Sequence, residues 1–245
     1  MSDNKGINVG IDDHSSNTAN GPVISARGVS RVFGSGATAV NALSAIDLTV
    51  EQGDFLAVTG RSGSGKTTLL NLLSGLDRPS TGTVHFHGDD LAGLRESELV
   101  QMRRHKIGFV FQSFGLMPLL SAQENVELPL HIGGVSWRDR RQRANEALAA
   151  VGLGSRARHR PYELSGGEQQ RVSIARALVT APEVVFADEP TGELDTATAR
   201  SIADTLGEVA SSRRATVIVA THDLELAAMA SRRLDLVDGE IVSRS

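Results

Sequence analysis

Glycine, lysine and threonine occur near residue 60 at a spacing that suits phosphate binding. The segment Gly60-Arg61-Ser62-Gly63-Ser64-Gly65-Lys66-Thr67 fits the pattern G-x-x-x-x-G-K-[ST], and Thr68 follows it. Its glycines let several backbone N–H groups point at one anion, at the positive end of the following helix. Lys66 can then reach the β- and γ-phosphates of a nucleotide, and the Thr67 hydroxyl can bind Mg²⁺. Because an apolar strand precedes the segment and a leucine-rich helix follows it, a phosphate loop is favoured over a merely flexible turn.

Two adjacent carboxylates follow an apolar run in Val184-Val185-Phe186-Ala187-Asp188-Glu189-Pro190. A buried strand would deliver Asp188 to the carboxyl edge of the sheet, where ligands bind in doubly wound folds. Asp188 can hold the magnesium shell, and Glu189 can orient or deprotonate an attacking water. Phosphoryl transfer needs positioning and charge compensation more than covalent help. Taken alone, these residues would more often form a helix cap or turn; beside a phosphate loop, a catalytic pair is favoured.

A second glycine-rich string is Leu164-Ser165-Gly166-Gly167-Glu168-Gln169-Gln170. Ser165 and Glu168 predict a capping box at the start of an amphipathic helix. The two glycines weaken a helix start, but they make sense where free N–H groups must approach a phosphate with no side chains between. The string resembles the signature of the ABC ATPases, which contacts the γ-phosphate of ATP held by the phosphate loop of the other subunit. The resemblance therefore implies a head-to-tail homodimer with two ATP molecules in its interface, and ATP and Mg²⁺ as its ligands.

The resemblance also implies roles for residues outside these three segments. Phe33 matches the aromatic residue on which adenine stacks, where many relatives have Tyr. Gln112 matches the glutamine that touches Mg²⁺ and the attacking water and links the two lobes. Gly192-Glu193-Leu194-Asp195 looks like the interface loop after the catalytic carboxylate, although relatives often have Asn at the second position of this run. His222 follows an apolar strand and matches the histidine that senses the γ-phosphate.

Strand and helix patterns alternate along the chain in the order needed to position these residues. Strands are predicted at 23–29, 43–50, 55–59, 83–87, 184–188 and 216–221, and helices at 66–76, 96–106, 137–151, 168–180, 197–210 and 223–231. Helices alternating with wholly apolar strands indicate a parallel sheet covered on both faces. With the resemblance, the predicted fold is α/β, a P-loop NTPase of the ABC ATPase type. It has a mainly parallel sheet core, an antiparallel β subdomain and a helical subdomain. Residues 1–21 are predicted to form a flexible polar tail, and 22–245 the ATPase domain, with a helical insertion at about 92–165.

Composition and charge argue against several classes of protein. The net charge of −4 provides no basic field for nucleic acid, and the lack of cysteine excludes disulfides and thiolate sites. No run of roughly 18 apolar residues occurs, so direct insertion into a membrane is not expected. We expect neither nucleic acid nor lipid as a direct partner.

Within the ABC family, the segment from Ile107 to Pro118 and its continuation from Glu124 to Leu130 look like one subgroup. It contains the ATPases of macrolide exporters, of lipoprotein-release complexes and of the cell-division complex. The resemblance implies a separate integral-membrane permease that docks near Gln112–Met117, and hence a peripheral position on the cytoplasmic face of the cell membrane. ATP-driven dimer closure would energise export or mechanotransmission. Phe114, Leu116 and Met117 are expected to be partly exposed in the lone subunit.

Three alternatives remain open at the level of sequence. One is the ATPase of an importer for amino acids or another small solute. Another is a soluble, non-transport ABC ATPase that acts in DNA repair or translation, although long coiled-coil insertions and tandem cassettes are missing. The last is a regulatory module that holds ATP without turning it over; Glu189 and His222 argue against it.

Overall fold

A computed structural model describes residues 21–212 and 215–244. The predicted polar tail lies, apart from Gly21, outside the described residues. The strands are β1 (Ile24–Phe33), β2 (Val40–Val50), β3 (Phe55–Thr59), β4 (Thr81–Phe86), β5 (Asp89–Asp90), β6 (Ile107–Val110), β7 (Val184–Asp188), β8 (Thr216–Thr221), β9 (Arg232–Val237) and β10 (Glu240–Arg244). The helices are α1 (Lys66–Leu73), α2 (Glu96–Lys106), α3 (Ala122–Ile132), α4 (Trp137–Ala150), α5 (Gly166–Leu178), α6 (Thr196–Ser211) and α7 (Leu224–Met229). None of the helices in these ranges is long and apolar enough to cross a membrane.

In the described part of the chain, the main sheet has six strands in the order β10-β9-β3-β8-β7-β6. Among these strands only the β9–β10 pair is antiparallel, and the other neighbours run parallel. Every residue of β3 and β8 is buried, as expected for strands covered on both faces. The apolar residues of α5, α6 and α7 pack on one face of this sheet, where Ile174, Leu206 and Leu226 are fully buried.

A second sheet, antiparallel throughout, has the order β2-β1-β4-β5. It is joined to the other face of the main sheet through a shared apolar core. That core contains Ile24 of the small sheet, Leu69 and Leu72 of α1, and Phe186 of the main sheet. Helix α1 therefore lies between two sheets, which fixes the helix that follows the phosphate loop.

A third apolar core lies where α3 and α4 pack on α5, around Val126, Leu148 and Val172. The segment 92–165 also contains β6, which belongs to the main sheet, and α2, which packs through Leu99 and Met102 on the core between the sheets. Helices α3 and α4 of that segment instead pack mainly with each other and with α5. This places the N-terminus of α5 on a helical layer beside the main sheet.

Candidate functional site

Four neighbouring strands of the main sheet carry predicted site residues at their carboxyl ends. Strands β3, β8, β7 and β6 are adjacent and parallel, so these ends meet at one edge. Gly60 follows β3, His222 follows β8, Asp188 ends β7, and Gln112 lies two residues beyond the end of β6. Residues more than 160 positions apart in sequence are therefore brought to one edge.

The loop between β3 and α1 has a backbone that only glycine tolerates at two positions. Gly65 has φ of 103°, and a Cβ there would lie 2.5 Å from the carbonyl oxygen of Ala42; at Gly60 it would lie 2.3 Å from that of Leu236. The loop ends at the first turn of α1, whose free N–H groups favour an anion. Lys66, buried in the loop, donates from Nζ to the carbonyl oxygen of Gly60 at 2.9 Å. This geometry is that of a phosphate cradle.

Glu189 lies between the lysine of this loop and His222. Its Oε1 is 3.2 Å from Lys66 Nζ, and its Oε2 is 2.8 Å from His222 Nδ1 and accepts the His222 backbone N–H at 3.2 Å. The backbone of Glu189 has φ of 46°, a left-handed conformation that costs a non-glycine residue energy and is common at active sites. Its N–H is held by the carbonyl of Ala220 at 2.8 Å. The carboxylate is thus fixed at the sheet edge by contacts to both of its oxygens.

Asp188 and Thr67 form a donor set for a divalent cation. The Thr67 hydroxyl donates to Asp188 Oδ2 at 2.8 Å. Among the described residues, Asp188 Oδ1 is buried and has no hydrogen-bond partner. Burial raises the pKa of the Asp188 carboxyl, and the hydrogen bond from Thr67 opposes this rise. A buried carboxylate oxygen without a partner, next to a hydroxyl at a phosphate loop, fits Mg²⁺, which prefers such oxygen ligands.

Gln112 reaches the same edge from β6. A Cβ built on Gly192 would lie 3.6 Å from Gln112 Nε2 and also 3.6 Å from the Glu189 Cβ. The side-chain amide of Gln112 therefore lies beside the loop that carries Glu189. The exposure expected for the following residues is observed: Phe114 and Leu116 are half-buried, and Met117 is exposed.

The string 164–169 forms the start of α5, and the predicted capping box is confirmed. The Glu168 N–H donates to Ser165 Oγ at 3.2 Å, and the Ser165 N–H donates to Glu168 Oε2 at 2.8 Å. This second bond is the main reason that the pKa of Glu168 is lowered. Within the part of the chain that the structure describes, no hydrogen bond or ion pair joins 164–169 to the phosphate loop. A Cβ on Gly166 would instead lie 3.6 Å from Leu194 Cδ2, in the loop that ends with Asp195, the N-cap of α6.

Phe33 ends β1 and is 43% exposed. It pairs with Val40 of β2, and two residues further along β2 the carbonyl of Ala42 lies against Gly65 of the phosphate loop. An exposed aromatic ring is therefore attached to the strand that borders the phosphate loop.

The family model described as ABC transporter matches residues 43–192. The chain belongs to the ABC transporter family. It is 48% identical over 211 residues to the lipoprotein-releasing system ATP-binding protein LolD of Geobacter metallireducens, covering 86% of this chain and 94% of that protein. It is 47% identical over 229 residues to the macrolide export ATP-binding/permease protein MacB of Azoarcus sp. (strain BH72), covering 94% of this chain and 35% of that protein. The chain thus spans about a third of the length of the macrolide exporters that it matches.

A solved structure with the same fold is the dimeric, post-hydrolysis state of the ATP-binding cassette MJ0796 bound to ADP and Pi. It has a TM-score of 0.84 and 41% identity, and the match covers 91% of this chain and 97% of that one. The predicted fold class is therefore confirmed: the ABC ATPase cassette, with a mixed α/β core, an antiparallel β subdomain and helices. The chain is an ATPase of the ABC family.

Two residues of this ABC ATPase, Gln170 of the string 164–170 and Arg31, were assigned no role from the sequence and contact Pro190 and Phe33. Gln170 is buried on α5 and donates from Nε2 to the carbonyl oxygen of Pro190 at 2.7 Å, which joins the signature helix to the residue after Glu189. Arg31 lies over the ring of Phe33. Both had a signal in the sequence: Gln170 is four positions after Gly166 on a helix, and Arg31 is two positions before Phe33 on a strand.

Proposed function

We propose that two copies of this chain bind two molecules of ATP with Mg²⁺ head to tail, hydrolyse them, and thereby energise a separate membrane permease. One observation carries the proposal. Gly166 and Gly167 begin helix α5 and have no side chains that would cover their N–H groups. Nothing in the described part of the chain connects these N–H groups to its own phosphate loop. A second subunit, turned head to tail, supplies the missing phosphate.

Each predicted site residue has a role in this proposal. Phe33 stacks on adenine, and the phosphate loop from Gly60 to Thr68 holds the phosphates. Thr67, Gln112 and Asp188 hold Mg²⁺, which neutralises charge that develops on the phosphate oxygens when it is bound. Leu164 to Gln169 of the partner contact the γ-phosphate from the other side, and Leu194 and Asp195 lie in the dimer interface.

Glu189 positions and deprotonates the attacking water in this scheme. Its contact with Lys66 must yield when a triphosphate enters, because the ammonium then pairs with the phosphates. One carboxylate oxygen is thereby released to face the water, while His222 continues to hold the other. Gln112, beside the same loop, orients the water. It also transmits a conformational change at the nucleotide site to the adjacent groove.

Replacing Asp188 by Asn tests the magnesium site. The amide keeps the size of the side chain but has one acceptor oxygen and no charge. We therefore expect the factor by which Mg²⁺ raises the affinity for ATP to be about 10–100-fold smaller than in the wild type. Titration calorimetry with ATP, in EDTA and in Mg²⁺, measures this difference, and affinity in EDTA should stay the same. Asp204→Asn, an exposed carboxylate on α6, is the matched control. Equal loss of affinity with and without Mg²⁺ would contradict the assignment.

The groove between the helical layer and the main sheet is the docking surface that we propose for the permease. A cavity of about 420 Å³ lies there, lined by Val100, Phe109, Phe111 and Ile132 among others. Gly115 also lines the cavity, and Leu119, four residues further along the chain, is 79% exposed. Apolar surface of this kind marks a site for a protein partner. The relatives named as an export ATP-binding/permease protein and as a lipoprotein-releasing system support such a partner. In this proposal the permease holds the chain at the cytoplasmic face of the membrane.

Leu119→Glu should release that partner. The side chain projects from the surface, so its replacement should change the melting temperature by no more than about 2 °C. Its charge would then have to be buried against the partner, so we expect recovery of an integral-membrane protein with the tagged chain to fall at least about tenfold. Mass spectrometry of detergent-extracted complexes measures this. Ala92→Glu, exposed after β5, is the control. Undiminished recovery would contradict the docking surface, and the number of spans in the recovered permease would distinguish an exporter from an importer.

A further inference from the structure

Arg31 contacts the aromatic ring that the proposed function assigns to adenine. Arg31 and Phe33 are two positions apart on β1, so both side chains lie on one face of the strand. The Cζ atom of Arg31 is 4.4 Å from the centroid of the ring, within the range of a cation–π contact. Phe33 as a whole residue is nevertheless 43% exposed. A guanidinium therefore covers part of the ring and leaves room for a second planar group.

Asp77 fixes the guanidinium in place. Arg31 Nε donates to Asp77 Oδ2 at 2.8 Å, and Arg31 Nη2 donates to Asp77 Oδ1 at 3.0 Å. A two-bond pair of this kind sets the plane of the guanidinium as well as its position. Both side chains are half-buried, so the pair is screened less than one on the open surface.

Asp77 is in turn tied to the helix of the phosphate loop. Its N–H donates to the carbonyl oxygen of Asn71, in the last turn of α1, at 3.1 Å. Since α1 begins at Lys66, one end of this helix holds the phosphate site and the other end holds Asp77. The chain of contacts from α1 through Asp77 and Arg31 to Phe33 therefore fixes the ring relative to the phosphate loop.

We propose that Arg31 is a positioning residue for the base of the nucleotide. It supports the Phe33 ring from one side and keeps it at a set orientation to the phosphate loop, so that a purine stacks on the surface that stays open. The inference rests on the proposed function, because it takes ATP to be the ligand of the phosphate loop. It predicts a contribution to binding of the base and none to binding of the phosphates.

Two ligands separate these contributions: Mg²⁺ with ATP, and Mg²⁺ with inorganic tripolyphosphate, which has no base. For Arg31→Ala we expect the Kd and the KM for ATP to rise about two- to fivefold, with kcat unchanged. A change of this size corresponds to the loss of one partly exposed cation–π contact. The Kd for tripolyphosphate should not change. Asp77→Ala should show a smaller rise for ATP, and the double variant should be no worse than Arg31→Ala, because Asp77 acts through Arg31.

Arg78→Ala controls for the loss of one positive charge, since Arg78 is exposed and adjoins Asp77. If Arg31→Ala weakens tripolyphosphate as much as ATP, Arg31 supports the fold or the phosphates and the inference is overturned. If ATP binds equally well or more tightly to this variant, the guanidinium occupies the place of the base and the inference is again overturned. Failure of the proposed function would differ from both outcomes, because the wild-type chain would then bind neither ligand.

Discussion

Replacing Glu189 by Gln is expected to lower the rate of ATP hydrolysis at least about a hundredfold, the low end of what a positioned general base contributes. The amide matches the carboxylate in size but has one acceptor oxygen, so it can accept from the His222 N–H or from Lys66 Nζ and not from both. It cannot accept a proton from water at neutral pH. Because Lys66 no longer pairs with a charged side chain, affinity for ATP should be equal or higher. A phosphate-release assay and nucleotide titration measure the two quantities.

The same variant should accumulate the ATP-bound dimer, since the groups that bind nucleotide remain while turnover stops. Size-exclusion chromatography with light scattering, with and without ATP, detects this dimer. Glu208→Gln is a matched control: it removes an exposed carboxylate on α6, and should leave the rate within about twofold. A Glu189→Gln rate of hydrolysis equal to the wild-type rate would contradict the assignment of Glu189 as the catalytic base. A variant that stays monomeric with ATP would count against the two-nucleotide interface.

The sheet edge was predictable from sequence because its strands are wholly apolar and each ends in a distinctive residue. A parallel arrangement then forces those ends together: Asp188 is predicted at the carboxyl edge, and the structure places Gly60 and His222, each directly after a strand, at the same edge. The left-handed backbone of Glu189 gave no such signal, since glutamate as a residue type does not indicate a φ of 46°.

Helix α3 was not among the predicted elements, for a reason that lies in its composition. Pro129 lies inside the helix, and proline removes a backbone donor and usually ends a helix. The favourable signal was present but weak: Ser121 and Glu124 form a capping box at its start. Packing of Val126 and Leu130 in a buried core offsets the cost of the proline, and such tertiary packing cannot be predicted from a local pattern.

Contacts between residues far apart in the sequence were the least predictable part of the site. Arg31 and Asp77 are 46 positions apart, and they meet only because α1 packs between the two sheets. The ion pair of Lys66 with Glu189 depends likewise on the separation of β3 from β7, which have β8 between them. Motifs identify the residue types that phosphate chemistry needs, whereas the pairs that hold them depend on how whole elements pack.

Gly166→Asp should separate nucleotide binding from dimer formation. A Cβ at Gly166 meets only ordinary contacts, at 3.6 Å from Leu194 and 3.7 Å from Phe114, and a carboxylate in the first turn of a helix is favourable. The fold and ATP binding at the chain's own phosphate loop should therefore be kept. In the proposed dimer the new carboxylate would face the γ-phosphate bound to the partner, and like charges at such a distance cost several kcal/mol. We expect ATP-dependent dimerisation and hydrolysis to fall at least about a hundredfold.

Gly166→Asn introduces a side chain of nearly the same shape without the charge. Its loss of ATP-dependent dimerisation and hydrolysis should be smaller than that of Gly166→Asp. Gly167 does not serve this purpose, because a Cβ there would lie 2.2 Å from Thr198 Cγ2 and would disturb the fold itself. The measurements are the melting temperature, the Kd for ATP of the monomer, the dimer fraction with ATP, and the rate of phosphate release. If Gly166→Asp keeps wild-type hydrolysis and dimerisation, the glycines of α5 do not approach a phosphate. The head-to-tail arrangement would then lose the observation on which it rests, because the capping box alone explains only Ser165 and Glu168.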